Sequence, residues 1–437
     1  MTAPLDKLEV LKRVFGHESF REGQEQLVDE LLGGHDVLGV MPTGAGKSVC
    51  YQLPALMLEG ITLVISPLIS LMKDQVMALK ASGVAAAYIN SSLTPGQQAE
   101  AIRRAAAGAY RIIYVAPERL DMPSFLAFAQ KARIPLLAVD EAHCVSQWGQ
   151  DFRPSYLRIA DFVRRLPRRP AVGAFTATAT RRVRDDIVKM LDLEEPLCLT
   201  TGYNRPNLHF ASVKPTNKFT MLCSFLDTMP GECGIVYCNT RRTVEDVAGK
   251  LAVNGYRATR YHAGLSDAER HANQDDFQYD RARIMVATNA FGMGIDKSNV
   301  RFVVHYNMPR DLESYYQEAG RAGRDGDPAD CLLLYSGQDV ITARWMIEHS
   351  DDNPELDADE RAELQRRDLE RLKQMTFYAT SKRCLRAFLL RYFGEEAPDD
   401  CGSCSVCEEL PFEVDTGRGR LYGVPAKEAR QERKRRQ

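Results

Sequence analysis

The sequence predicts an α/β protein with two consecutive doubly wound parallel sheets and a small helical module after them. Two runs of short, apolar, β-branched segments carry this prediction, because stretches of helical periodicity separate the members of each run. Alternating strands and helices are typical of sheets whose strands all point in one direction. A chain of 437 residues, 44% of them apolar, can fill the cores of about three domains.

Ten segments are predicted strands. Those of the first run are Asp36–Met41, Ile61–Ser66, Arg111–Pro117, Pro135–Asp140 and Ala171–Thr176. Those of the second run are Gly234–Cys238, Arg257–His262, Ile284–Ala287, Phe302–Tyr306 and Cys331–Tyr335. Residues 200–207 have the turn composition of a linker, so we place a domain boundary after residue 206.

A glycine-containing segment, residues 41–48, follows the first predicted strand and precedes a predicted helix. Glycines let such a loop curl, so that its N–H groups and the next helix N-terminus bind phosphate oxygens. Lys47 would reach the outer phosphates and Ser48 would bind Mg²⁺, whereas a plain glycine turn would not need this pair. We therefore predict an ATP site. Its expected ligand-binding residues are Thr43, Gly44, Gly46, Lys47 and Ser48.

Asp140 and Glu141 stand at the end of a predicted strand of the same sheet. Ligands bind at the carboxyl ends of strands in open α/β sheets. There Asp140 would hold Mg²⁺ and Glu141 would polarise the attacking water. An Asp-Glu pair alone is often a solvated turn, but together with the phosphate-binding loop it predicts ATP hydrolysis.

Four of the eleven cysteines form a cluster in the sequence. Three follow one another at C-x-x-C spacing, and one distant cysteine completes the number of ligands that tetrahedral Zn²⁺ takes. A redox dithiol is the alternative, but it needs no fourth cysteine and usually follows a strand. We predict a structural zinc site. Its ligands would be Cys384, Cys401, Cys404 and Cys407.

These patterns divide the chain into four parts. We predict a first domain with the ATP site over residues 1–206, a second domain over 207–340 and a helical zinc-binding module over 341–410. A basic tail over 411–437 has few apolar residues, and we expect it to be disordered.

The composition bears on the location of the protein. The N-terminal segment lacks a basic region followed by an apolar core, and no apolar stretch is long enough to cross a membrane. We expect no membrane partner. The protein would be cytoplasmic and nucleoid-associated if bacterial, and nuclear if eukaryotic. The net charge of −2 argues against a uniformly basic nucleic-acid binder but leaves local basic patches open.

With these motifs in place, residues 5–410 resemble the RecQ family of superfamily 2 DNA helicases. The resemblance implies two tandem RecA-like domains followed by the zinc-binding module. Phe20-Arg21-Glu-Gly-Gln24 resembles the family's adenine-recognition motif, in which Gln24 would bind the base and Arg21 would support it. His17 stands where many members carry an aromatic stacking residue, which implies a smaller stacking area on adenine.

Other segments resemble those with which the family contacts DNA. Residues 146–154 resemble its aromatic-rich loop, in which aromatic rings stack on bases and sense single-stranded DNA. A buried aromatic pair is the alternative, but the surrounding polar residues favour exposure. The implied DNA contacts are Lys73, Trp148, Phe152, Arg153 and Asn239.

The second predicted domain resembles the family's nucleotide-facing half. Arg321 and Arg324 lie three residues apart and would act as arginine fingers, which neutralise charge on the transferred phosphoryl group. Surface salt bridges are the alternative for either arginine. Asp296 lies in a further family-like segment and would contact the ribose or other residues of the nucleotide site.

The resemblance implies an ATP-dependent DNA helicase that moves 3′-to-5′ on single-stranded DNA and unwinds duplexes in recombination and repair. Its partners would be single-stranded, forked and tailed DNA, with single-strand-binding and recombination proteins. Two alternatives stay open: a DNA-stimulated ATPase that mainly anneals or remodels strands, and an RNA helicase.

The resemblance also implies a short form of the family. Many members continue into a winged helix and a further helical domain, whereas about 30 residues follow Cys407 here. The basic tail would then supply sequence-independent affinity for DNA.

Overall fold

The structure is a computed structural model that describes residues 6–149, 151–291, 297–349, 358–408, 410, 414–415 and 420–421. The chain forms two units, Met1–Tyr203 and Asn204–Gln437. The division falls within residues 200–207, the segment whose composition indicates a linker.

The first unit is built on a seven-stranded parallel sheet. Its strands are β1 (Val37–Val40), β2 (Thr62–Ile65), β3 (Ala86–Ile89), β4 (Ile112–Val115), β5 (Leu136–Val139), β6 (Ala171–Thr176) and β7 (Leu197–Thr200). Their order across the sheet is β3-β4-β2-β5-β6-β1-β7. All five predicted strands are present. The sequence analysis missed β3, which is rich in alanine, and β7, a partly exposed edge strand.

Helices cover this sheet. They are α1 (Lys7–Val10), α2 (Gln24–Gly33), α3 (Lys47–Met57), α4 (Ile69–Ala81), α5 (Pro95–Ala106), α6 (Pro123–Ala129), α7 (Arg158–Arg164) and α8 (Arg181–Met190). Thr94 and Gln97 form a capping box at the start of α5, and Thr180 caps α8. Tyr51 of α3 packs against Phe175 of β6 with ring centroids 5.4 Å apart, in the core between helix and sheet.

The second unit contains a six-stranded parallel sheet. Its strands are β8 (Leu208–Val213), β9 (Cys233–Tyr237), β10 (Ala258–Tyr261), β11 (Ile284–Ala287), β12 (Val300–His305) and β13 (Ala329–Leu334). Their order is β10-β11-β9-β12-β13-β8. The five predicted strands of the second run are confirmed, and β8 was missed. A short antiparallel pair follows, formed by β14 (Val414–Asp415) and β15 (Arg420–Leu421).

Seven helices of the second unit fall within the described residues. They are α9 (Lys218–Asp227), α10 (Arg241–Val253), α11 (Asp267–Gln278), α12 (Leu312–Ala319), α13 (Gly337–Glu348), α14 (Ala358–Ala379) and α15 (Leu385–Tyr392). Residue 340, where the sequence analysis ends the second domain, lies inside α13. In the part of the chain that the structure describes, no helix is both long and apolar enough to traverse a membrane.

The cysteine-rich segment attaches to the edge of the second sheet. Cys404 pairs with Phe210 of the edge strand β8 in a parallel bridge, and the Ser405 N–H donates to the Phe210 carbonyl at 2.9 Å. The Ser405 hydroxyl accepts from the Ser212 N–H at 3.1 Å. These backbone bonds use the outer edge of β8 and join the segment to the second sheet.

A close contact in the second sheet predicts that alanine substitutions at two glycines change the stability of the protein differently. A Cβ on Gly234 of β9 would lie 2.1 Å from the ring of Phe302 on β12, whereas a Cβ on Gly249 of α10 would meet no atom within 4 Å. We expect Gly234→Ala to lower the free energy of unfolding by about 1–3 kcal/mol through overpacking. Gly249→Ala, the matched control, should raise it by up to about 1 kcal/mol. Thermal unfolding followed by circular dichroism measures both, and equal melting temperatures would contradict the packing described.

Candidate nucleotide site and metal centre

The phosphate-binding loop follows β1 and leads into α3. Gly44 and Gly46 have φ values of +88° and +81°, in the left-handed region that glycine tolerates best. Lys47 is the first residue of α3, and its Nζ donates to the Met41 carbonyl at 3.1 Å. The loop thus brings an ammonium group and a helix N-terminus to the carboxyl end of β1, where they can bind an anion.

Gln24 and Arg21 contact this loop directly. The Gln24 side chain is buried, and its Nε2 donates to the Ala45 and Gly46 carbonyls, each at 3.1 Å. Its Oε1 accepts from the Arg21 N–H at 2.8 Å, while the Arg21 guanidinium donates to the Gly44 carbonyl. Both side chains therefore brace the loop in this structure. Their contact with adenine stays a prediction.

Asp140 and Glu141 lie directly after β5 and are both buried. Burial and the negative charge of Glu141 raise the pKa of Asp140 to about 7, and the positive charge of Lys47 opposes this rise. Glu141 has φ +49°, which is unfavourable for a residue other than glycine. The pair therefore combines a carboxyl group that is hard to ionise with a strained backbone, as functional sites often do.

His143 links the acidic pair to the end of β6. Its Nδ1 lies 2.8 Å from the Thr176 hydroxyl and 3.3 Å from Glu141 Oε2. The Thr176 hydroxyl also donates to the Thr178 carbonyl at 3.1 Å. Burial lowers the pKa of His143, which favours the neutral ring.

The aromatic-rich loop packs on the acidic segment through its backbone. A Cβ on Gly149 would lie 2.2 Å from the His143 carbonyl oxygen, so this position admits only glycine without movement. The Arg153 N–H donates to the Cys144 carbonyl at 2.9 Å. A displacement of this loop would therefore act directly on the backbone that carries His143.

The two aromatic side chains of the loop are partly exposed. Trp148 and Phe152 are neither fully buried nor fully exposed, and the Arg182 guanidinium lies 3.1 Å from the Trp148 ring centroid. Arg153 donates to Asp151 and, at 3.1 Å, to the Pro67 carbonyl. The Arg182 cation–π contact covers one face of the Trp148 ring. The sequence analysis gave Arg182 no role.

The remaining residues implied for DNA and nucleotide are divided between the two units. Lys73 is partly exposed in the first unit, in the helix α4 that follows β2. In the second unit, Asn239 follows β9, and its Nδ2 donates to the Met308 carbonyl at 3.1 Å. Asp296 lies outside the described residues.

Arg321 and Arg324 lie in the loop between α12 and β13 of the second unit. Arg321 is buried and Arg324 is partly exposed. Arg205 holds this loop by donating to three of its backbone carbonyls. The sequence analysis placed Arg205 in a linker and gave it no role, because a lone arginine beside proline carries no local signal of such contacts.

The four predicted zinc ligands come together in space. The sulfur atoms of Cys384, Cys401, Cys404 and Cys407 all lie within 4.8 Å of one another. Backbone N–H groups of Leu385 and Ala387 point at the sulfurs of Cys404 and Cys384, each at 3.4 Å. Four sulfurs at tetrahedral Zn–S distances of about 2.3 Å would be about 3.8 Å apart. The donor set therefore fits Zn²⁺.

Comparisons with known proteins agree with this arrangement. Family models match residues 21–187 (DEAD/DEAH box helicase), 217–326 (helicase conserved C-terminal domain) and 337–408 (RecQ zinc-binding). The ATP-dependent DNA helicase RecQ of Bacillus subtilis (strain 168) is 47% identical over 410 residues, which are 94% of this chain and 68% of that protein. The chain belongs to the RecQ family of ATP-dependent DNA helicases.

Other RecQ relatives differ in length. The probable ATP-dependent DNA helicase RecS of the same organism is 34% identical and matches over 93% of this chain and 92% of its own length. The chain spans 63% to 68% of the three RecQ helicases that match over 408 to 410 residues. The structure of Saccharomyces cerevisiae Dbp5 bound to RNA and ADP BeF3 covers 85% of this chain and 98% of its own, with a TM-score of 0.61 and 20% identity. That likeness concerns the fold alone, two RecA-like sheets in one chain.

In this RecQ-family chain, the raised pKa of Asp140 predicts a pH dependence of stability. The folded protein binds the Asp140 proton more tightly than the unfolded chain, whose pKa is about 3.9. Stability is therefore lost as pH rises from about 4 to about 7. Asp140→Asn cannot ionise, so its melting temperature relative to the parent should rise from pH 5 to pH 8. Scanning calorimetry without nucleotide and Mg²⁺ tests this, and a constant difference would contradict it.

The sulfur cluster predicts that one zinc ion stabilises the second unit. Cys404→Ser should lower the bound zinc from one ion per chain and lower the melting temperature, because structural zinc contributes to folding energy. Cys198→Ser, at an exposed cysteine of β7, should keep both values. Elemental analysis and thermal unfolding give the result. Full zinc in Cys404→Ser would remove Cys404 from the ligand set.

Proposed function

We propose that this chain couples ATP hydrolysis to 3′-to-5′ movement along single-stranded DNA and thereby unwinds tailed and forked duplexes in recombination and repair. The observation that supports this most is the direct packing of the aromatic-rich loop on the segment that carries the acidic pair. Gly149 touches the backbone of His143, and His143 contacts both Glu141 and Thr176. A base stacked on Trp148 would therefore act on the hydrolytic residues through few contacts.

The nucleotide would be held by residues of the first unit. Lys47 would bind the outer phosphates, and Gln24 and Arg21 would support the loop or contact adenine. Asp140 and Ser48 would hold Mg²⁺, which neutralises phosphate charge when bound. Mg²⁺ would lower the raised pKa of Asp140, because a nearby cation favours the ionised carboxylate.

Hydrolysis would then depend on the neighbouring groups. Glu141 would orient the attacking water, and its buried Oε2 is available for a further hydrogen bond. Arg321 and Arg324 would neutralise charge on the transferred phosphoryl group, and Asp296 would contact the ribose.

DNA would be bound without regard to sequence. Trp148 and Phe152 would stack on bases at about 1–3 kcal/mol each, and Arg153 would contact a phosphate or base. Lys73 and Asn239 would contact the phosphate backbone, which gives affinity but no sequence preference.

The test is DNA-stimulated ATP hydrolysis together with unwinding of 3′-tailed, 5′-tailed and blunt duplexes. We expect unwinding of the 3′-tailed duplex only. Lys47→Ala should lower kcat by at least about 100-fold, because it removes a charge that acts on the phosphates. Lys80→Ala, at an exposed residue in the last turn of α4, is the matched control and should match the parent.

Three results would contradict the proposal. Parental ATP hydrolysis by Lys47→Ala would remove the phosphate loop from the mechanism. Strong stimulation by single-stranded DNA without any unwinding would favour strand annealing or remodelling. Stronger stimulation by RNA than by DNA would favour an RNA helicase.

A further inference from the structure

The loop that carries Arg321 and Arg324 is held by the arginine of the linker segment. Arg205 Nη1 donates to the Gly320 carbonyl at 2.6 Å. Its Nη2 donates to the Ala322 and Gly323 carbonyls at 2.9 Å and 2.6 Å. One planar guanidinium thus binds three carbonyls that flank Arg321 on both sides, and bonds from a charged donor are stronger than neutral ones.

Asn207 holds the same loop from a second position. Its Nδ2 donates to the Gly323 and Asp327 carbonyls at 2.9 Å and 3.0 Å. Gly323 has φ +56°, and a Cβ there would lie 2.5 Å from Asn207 Nδ2. The backbone on either side of Arg324 is therefore fixed as well.

The linker segment is in turn held by the zinc-binding module. Arg386 of α15 is buried and donates to Asn204 Oδ1 at 3.1 Å, to the Arg205 carbonyl at 2.6 Å and to the Leu208 carbonyl. It also donates to the hydroxyl of Ser403, between two of the zinc-site cysteines, at 3.1 Å. Arg386 thus links Ser403, beside the zinc-site cysteines, to the backbone of Arg205, whose side chain binds the loop of Arg321.

We infer that Arg205, supported by Asn207, is a positioning residue for ATP hydrolysis, and that Arg386 makes this positioning depend on the zinc-binding module. The inference rests on the proposed role of Arg321 and Arg324 as arginine fingers. An arginine finger works only if its guanidinium reaches the phosphoryl group, and a displacement of about 1 Å can cost about 100-fold in rate. Arg205 would act on this geometry through the loop carbonyls that it binds.

Steady-state ATP hydrolysis by the full chain with single-stranded DNA tests the inference. Arg205→Gln should lower kcat by about 10-fold to 100-fold, with KM for ATP and the Kd for DNA within about two-fold of the parent. Arg205→Lys, which keeps the charge but not the planar fork, should recover part of kcat. Asn207→Asp, of equal size but without the donor, should also lower kcat. Arg281→Gln, at an exposed arginine of the same unit, is the matched control.

A double-mutant cycle separates this inference from the proposed function. We call the loop that carries Arg321 and Arg324 the arginine loop. If Arg205 acts through it, Arg205→Gln should add little to the loss of kcat that Arg324→Ala causes alone. Fully additive losses, or parental kcat in both Arg205 variants and in Asn207→Asp, would overturn the inference. Parental kcat in Arg324→Ala would instead overturn the arginine-finger role of that residue.

Arg386→Gln tests whether the positioning depends on the zinc-binding module. We expect the same selective loss of kcat while one zinc ion per chain remains bound, because the metal ligands are untouched. Elemental analysis and melting temperature accompany the kinetics. If Arg386→Gln keeps its zinc and has the parental kcat, the inferred role of Arg386 is overturned and only that of Arg205 is left. Loss of zinc would show that Arg386 supports the metal site, and it would overturn the separate link from Arg386 to the arginine loop.

Discussion

The common direction of the strands is the constraint on which the candidate site depends. In the first unit every strand is parallel to its neighbours, and β5, β6 and β1 are adjacent in the sheet. The loops after these strands therefore begin side by side at one edge, which is where open α/β sheets bind ligands. This places the acidic pair, Thr176 and the phosphate-binding loop together, although more than 120 residues separate Ser48 of the loop from Thr176 in sequence. The His143–Thr176 hydrogen bond is a direct consequence.

This edge of the first sheet contains energetically unfavourable groups that a bound ligand can stabilise. Asp140 is buried beside another carboxylate, Glu141 adopts a left-handed backbone, and the buried Glu141 Oε2 lies 3.3 Å from His143 Nδ1, longer than a typical hydrogen bond. Each of these is unfavourable in the free protein. A divalent cation and an attacking water would supply the missing charge and hydrogen bond. The strain thus lies at the groups that the proposed reaction uses.

Arginines contact different kinds of group in this chain, and the sequence does not distinguish these contacts. Arg205 and Arg386 bind backbone carbonyls and join the zinc-binding module to the arginine loop. Arg182 covers the ring of Trp148, and Arg153 bonds a carbonyl of the neighbouring loop. A planar donor fork suits both phosphate and carbonyl acceptors, so only the position of the side chain in the fold decides between them.

The sequence by itself determined the two parallel sheets, the phosphate-binding loop, the acidic pair and the four clustered cysteines, because each rests on local periodicity or fixed spacing. It missed β3, β7 and β8, each of which lies at the edge of its sheet. It predicted a role for Trp148 but gave none to Arg182, and it indicated the linker but not the contacts of Arg205. Tertiary structure alone decided these, because hydrogen bonds and ring contacts between segments distant in sequence, such as Arg386 with residues 204–208, leave no periodic pattern in the chain.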